Sequence, residues 1–240
     1  MTTLLDLPTD TINEIFKQFS SDSYHIIICL WTCKSLWKIA SKFIRDNQIL
    51  DRLSCLDIAR NGHLAIFELA VKNGGYISSD VLDTAAEYGR IGILEWLKNN
   101  SNKYYTVLTA EKAAKNGHLE ILQWVHKLGH RIYNAAWEDA AKCGHLEILQ
   151  WAIENGFKMY SDVFKVAAEY GHLKILQWAK EKKFTIFEES WEAAAKNGHL
   201  YILKWAKENG YNLSADVWSK ASKHDQLEVI QWAKENGYGV

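Results

Sequence analysis

Polarity along the 240-residue chain falls into two alternating apolar blocks from residue 51 onward. The stretch around Gly171 shows both. Val163, Phe164, Ala167 and Ala168 stand at i, i+1, i+4 and i+5, one face of a helix. Ser161 is expected to supply its N-cap and Asp162 a first-turn acid, as Ser79 and Asp80 do near Gly89. Gly171 interrupts the pattern. Leu173, Ile175, Leu176, Trp178 and Ala179 then make a stripe wider than one face, which suits a helix flanked on two sides. This second helix is expected to close at a glycine after the tryptophan position: Gly74, Gly129, Gly156, Gly210 and Gly237, with Ser101 and Lys183 as exceptions.

The two-helix pattern repeats. AAKNGHLEILQW at Ala113–Trp124 returns as AAKCGHLEILQW at Ala140–Trp151, AAEYGHLKILQW at Ala167–Trp178 and AAKNGHLYILKW at Ala194–Trp205. Weaker copies begin at Ile58, Ala85 and Ala221. The glycine column runs Gly62, Gly89, Gly117, Gly144, Gly171 and Gly198 and ends in Asp225, with steps of 27 and a single step of 28. One helix pair cannot cover its own apolar stripe, but stacked pairs can. The fold expected is all-α: a solenoid of seven helix pairs, with paired alanines allowing close approach and Asp225-Gln226 marking a polar end unit. Residues 1–50 lie outside this register. Ile12, Ile15, Phe16 and Phe19 lie on one helical face, and Leu36, Trp37, Ala40, Phe43 and Ile44 on another. Three short helices here are too few for a large core, so they need a partner or the first repeat to cover them.

Charge and composition narrow the classes. Lys and Arg number 28 against 29 Asp and Glu, a formal charge of −1, from which no nucleic-acid partner is expected. The longest apolar run, Ile26 to Trp31, is far short of the ~20 residues of a membrane helix. No basic stretch leads an apolar one as in a signal peptide. Cys29, Cys33, Cys55 and Cys143 form no paired framework, so a reduced cytoplasmic setting is expected.

The segment AA-x-x-GH-L-E-I-L with its following Asn-Gly resembles ankyrin repeats from Asp51 onward. Those repeats run to ~33 residues, so the shorter units here imply no long finger loops. The tryptophan-ended variant is similar to arrays in proteins of amoebae and their giant viruses. Leu7-Pro8, then Ile12, Ile15 and Phe16, then Cys33-Lys34 ahead of Trp37, resemble an F-box. That resemblance implies a Skp-type adaptor, seated by Leu7, Pro8, Ile12, Ile15, Phe16, Cys33 and Trp37, and through it a cullin ubiquitin ligase.

Candidate chemistry is sparse. His63, His118, His145, His172 and His199 recur one repeat apart, ~10 Å, too far to share an ion whose ligands sit at ~2 Å. Each is expected to bond backbone near the start of its second helix. His25, Cys29 and Cys33 share a helix face but span two turns, ~12 Å of rise. The ladder Trp96, Trp124, Trp151, Trp178, Trp205 and Trp232 lies in the apolar stripe and is expected to be core. No phosphate loop, nucleophile elbow or zinc-helix motif is present. No metal, cofactor or catalysis is therefore expected. The residues before the glycine vary between copies. In ankyrin-like folds they face the concave side, which implies a target-binding row of Tyr88, Lys115, Lys142, Tyr170, Lys196 and Lys223. The expected protein is a non-catalytic substrate receptor, monomeric outside its complex, with an unknown target protein. The alternative is a plain scaffold or decoy with no ubiquitin link, in which residues 1–50 cap the solenoid.

Overall fold

The computed structural model describes residues 55–72, 75–101 and 105–239. They form fourteen helices, with no strand among the described residues. The pairs are α1 (Cys55–Asn61) with α2 (Leu64–Lys72), α3 (Asp80–Glu87) with α4 (Ile91–Asn100), α5 (Val107–Lys115) with α6 (Leu119–Lys127), and α7 (Asn134–Cys143) with α8 (Leu146–Glu154). Then come α9 (Ser161–Glu169) with α10 (Leu173–Glu181), α11 (Glu188–Lys196) with α12 (Leu200–Glu208), and α13 (Ala215–Lys223) with α14 (Leu227–Glu235). Seven helix pairs are what the repeat predicts. The chain separates into two compact units, Met1–Val81 and Leu82–Val240. In the first, α1 packs on α2, burying Ile58, Ala59 and Phe67.

In the second unit the first helices α5, α7, α9, α11 and α13 lie side by side, each against the next. Sequence explains how they come so close. Ala113-Ala114, Ala140-Ala141, Ala167-Ala168 and Ala194-Ala195 are all fully buried, and a methyl is the largest group such an approach admits. The second helices α6, α8, α10, α12 and α14 each pack on their own first helix; the first four bury an Ile-Leu pair, such as Ile148-Leu149 and Ile175-Leu176, and α14 buries Val229 in its place. An aromatic triad closes the far end of a pair. Trp137, Trp151 and Phe157 have ring centroids 5.0 to 6.4 Å apart. The triad recurs as Phe164–Trp178–Phe184, Trp191–Trp205–Tyr211 and Trp218–Trp232–Tyr238. The first-helix indoles Trp137, Trp191 and Trp218 are the deeply buried ones. Of the ladder expected to be core, Trp178 is buried, while Trp96, Trp124, Trp151, Trp205 and Trp232 are half-buried at the edge of the stack.

The turn within a pair is a Schellman closure. Gly117 takes φ +79°, its N–H donates to the Ala114 carbonyl, and the His118 N–H reaches back to the Ala113 carbonyl at 2.9 Å. The same pattern joins Gly144 to His145 and Gly171 to His172. At the ends of second helices Gly129, Gly156, Gly210 and Gly237 are left-handed as expected, and Lys183 adopts the same conformation at φ +60° without being glycine. Gly74 lies outside the described residues. The helix-start expectation needs one correction. Tyr160, not Ser161, holds the N-cap position of α9 and makes no side-chain cap bond.

The histidines do bond backbone, but in the preceding repeat. His118 Nε2 lies 3.0 Å from the Glu87 carbonyl, His145 3.1 Å from that of Lys115, His172 2.9 Å from that of Lys142, and His199 2.9 Å from that of Glu169. Each bond to a carbonyl requires a proton on Nε2. The ring rests on the preceding glycine: a Cβ at Gly144 would stand 2.7 Å from the His172 ring, and one at Gly117 2.7 Å from that of His145. Near the outer ends of the second helices, Lys180 donates to Asn209 Oδ1 at 2.5 Å and Lys207 to Asn236 Oδ1 at 2.9 Å, again one repeat apart.

Gly156→Ala should lower stability by about 1–2 kcal/mol, since its left-handed backbone is strained for alanine but its Cβ site is open. Gly144→Ala adds a clash with His172 and should lower the urea midpoint distinctly further. Equal losses for the two variants would disprove the packing role of the glycine column.

Candidate functional site

The first helices present two ends, and the expected row lies at their C-terminal ends. Lys115, Lys196 and Lys223 are the last residues of α5, α11 and α13, Lys142 sits in the last turn of α7, and Tyr170 is the C-cap of α9. Tyr88 follows α3. All six side chains are exposed, Tyr88 and Tyr170 by 41% and 45%. For Tyr88, Lys115, Lys142 and Tyr170 the histidine bonds between repeats fix the backbone from which the side chains project. The Lys115 and Lys142 carbonyls accept from His145 and His172, and the carbonyls just before Tyr88 and Tyr170 accept from His118 and His199. Row spacing is thereby set by the stack.

Two row members touch. Lys142 Nζ lies 4.9 Å from the Tyr170 ring centroid. The Tyr170 hydroxyl beside it, and its charge when ionised, push the Lys142 ammonium above the usual lysine range.

Acids lie among the lysines. Lys112 pairs with Glu87 at 3.0 Å and Lys220 with Glu192 at 3.4 Å, each across neighbouring first helices. Asp83 accepts from the hydroxyls of Thr106 and buried Thr109 at 2.6 and 2.7 Å. A groove of about 260 Å³ runs across α9, α11 and α13, lined by Lys165, Glu169, Glu189, Glu192, Lys196 and Lys220. Sequence reading finds the lysines but not these pairs, which join residues 25 and 28 positions apart rather than one repeat. Opposite charges close to a repeat apart were the available signal.

Burial dominates two of the carboxyls. It pushes Asp139 up from the usual aspartate range, against the pull of Lys115, Lys142 and Lys112. It raises Glu111 as well, helped by the charges of Asp139 and Asp83. Among the described residues, no three His, Cys, Asp or Glu side chains stand close enough to hold a metal ion, and no helix is long and apolar enough to cross a membrane. The adaptor-binding candidates Leu7, Pro8, Ile12, Ile15, Phe16, Cys33 and Trp37, with His25 and Cys29, lie outside the described residues.

No family model and no curated protein matches the chain. Among solved structures it is similar to the pentatricopeptide repeat protein PPR10 from maize, at 11% identity over 98% of this chain and 45% of that one, with a TM-score of 0.39. It is also similar to PPR10 in complex with an 18-nucleotide psaJ RNA element, at 11% identity over 99% of this chain and 50% of that one, with a TM-score of 0.32. The chain thus spans half or less of these proteins' length. The expectation of no nucleic-acid partner is corrected here, because a similar helical repeat protein is solved with RNA bound. That expectation rested on a net charge near zero, which is a sum over the whole chain and does not describe local patches.

Asp139→Asn tests the electrostatics of this face. A carboxyl raised by burial weakens the fold once ionised, and the penalty fades as pH falls through its folded value toward the unfolded ~3.9. The Asp139→Asn variant should therefore melt at a higher temperature than the parent at pH 7 and show no gain below about pH 4.

Proposed function

We propose that the chain is a rigid binding adaptor. The repeats hold a target protein on the row of Tyr88, Lys115, Lys142, Tyr170, Lys196 and Lys223, and residues 1–50 join it as an F-box to a Skp-type adaptor and a cullin ubiquitin ligase. The observation that carries the binding role is the clasp itself. Four histidines bond carbonyls at or beside Tyr88, Lys115, Lys142 and Tyr170, so these four exposed side chains project from backbone tied to the next repeat. Stacked helical repeats are binding scaffolds of this kind. Support for the ligase link is the order of the chain: the F-box-like residues Leu7, Pro8, Ile12, Ile15, Phe16, Cys33 and Trp37 precede the repeats. A stiff frame between adaptor and target suits a function that works by proximity, holding target lysines where another subunit transfers ubiquitin. The chain itself performs no chemistry in this reading.

Proximity labelling in amoebal cells tests both halves. The intact chain should mark a Skp-type adaptor and a target together. Leu7→Ala with Pro8→Ala should lose the adaptor and keep the target. Charge reversal at Lys115, Lys142, Lys196 and Lys223 should do the opposite. An intact chain that marks a target but never an adaptor would leave a plain scaffold.

A further inference from the structure

The N-terminal ends of the same first helices carry an anomaly. An N-cap favours Ser, Thr, Asp or Asn, whose side chain satisfies a free N–H of the first turn. Five successive first helices have the same extended N-cap backbone, with φ between −72° and −106° and ψ between 159° and 175°. At the outer two the residue is a capping hydroxyl: Thr106 accepts from the Thr109 N–H and Ser214 from the Asp216 N–H. At the three between them it is Tyr133, Tyr160 and Phe187, none with a side-chain cap bond. These rings are 47%, 56% and 52% exposed. The fold forgoes a cap three times and leaves half of each ring in water. Arg131 stands over the Tyr133 ring at 5.9 Å, but no such contact among the described residues accounts for the rings of Tyr160 and Phe187.

The three rings recur at 27 residues on helices that pack directly on one another, so they form a ladder with rungs ~8–10 Å apart. Beside the third rung, between α9 and α11, lies a slot of about 380 Å³, lined by Ser161, Asp162, Lys165, Phe187, Glu189 and Ser190. It carries two carboxylates against one ammonium. The strip continues on α5, where Val107 and Leu108 are 45% and 52% exposed.

Spacing and charge together select the occupant. A polyproline II helix turns once in three residues of 3.1 Å, or ~9 Å, so every third residue meets the next rung. An extended strand places same-face residues ~7 or ~13 Å apart and misses the register. Single-stranded nucleic acid also stacks on aromatic rungs but needs a basic groove, and this slot has an acidic excess. Polyproline II is already stiff before binding, and aromatic-lined grooves are its usual seat. The slot's carboxylates suit a basic residue in such a segment, and the Tyr133 and Tyr160 hydroxyls can donate to its free carbonyls.

We propose that Tyr133, Tyr160 and Phe187 form a docking ladder for a proline-rich segment of a partner protein that carries a basic residue. This deepens the adaptor reading by adding a second site toward the N-terminal ends of the helices, whose slot shares Lys165 and Glu189 with the groove that reaches Lys196.

The test uses the full chain and a fluorescent peptide of about twelve residues with proline at every third position and one arginine. Saturable binding by anisotropy is expected. Tyr160→Ser with Phe187→Ser installs the cap that Ser214 already makes, so this variant should melt no lower than the parent while binding the peptide at least about tenfold more weakly. Reversal of the four row lysines should leave peptide binding unchanged, which separates this site from the target row. The inference is overturned by no saturable binding, by equal binding of an alanine-for-proline peptide, or by displacement of the peptide by an equal concentration of oligouridine. It is also overturned if the serine variant melts markedly lower, since the rings would then be structural.

Discussion

A backbone position without a side chain and an imidazole ring from the following repeat share one small volume, and the stack of the second unit depends on that sharing. Gly117, Gly144 and Gly171 satisfy two demands at once. Each takes the left-handed conformation that ends its first helix, and each leaves the space that the next histidine or tyrosine enters. The histidine side chain bonds to the previous repeat while its own backbone closes the local turn. A local rule of helix termination and a non-local rule of repeat stacking thus converge on two adjacent residues. Each such bond is worth about 1 kcal/mol net. Because every repeat touches only its neighbours, these small terms act in series along the array.

The same joint organises the exposed face. It fixes the carbonyl ends of the first helices, and so the places from which Lys115, Lys142 and Tyr170 project. At the opposite ends, about 13 Å away along a nine-residue helix, hydroxyl caps give way to rings at Tyr133, Tyr160 and Phe187. One layer of helices therefore offers a mixed-charge edge and an aromatic edge in common register. Inter-helix pairs such as Lys112 with Glu87 moderate the charge between them.

Much of this fold is legible in the sequence because it is local. The 27-residue period, the two helices per period and the left-handed glycines follow from spacing and from glycine's conformational freedom. The buried alanine pairs follow from their recurrence. What spacing does not reveal is which repeat a side chain turns toward. The histidines read as backbone-bonding, yet their acceptors lie 30 or 31 residues earlier in the chain. Ser161 reads as a cap because serine is a capping residue, and the structure places Tyr160 there against propensity. The third triad members Phe157, Phe184, Tyr211 and Tyr238 share the period but change from Phe to Tyr along the array, which conceals them. Net charge, a sum over the chain, does not describe the distribution of lysines along an edge.

The joint also has a direction. One half belongs to the glycine of a block and the other to the imidazole of its successor, so any two blocks that carry both halves are interchangeable partners. Whole blocks of this kind can be copied, deleted or reordered over evolutionary time without inventing a new interface. The block containing Asp225 and Gln226 is outside that exchange: the glycine and the histidine are both gone from it, and an imidazole arriving from any further copy would meet a side chain instead of empty space.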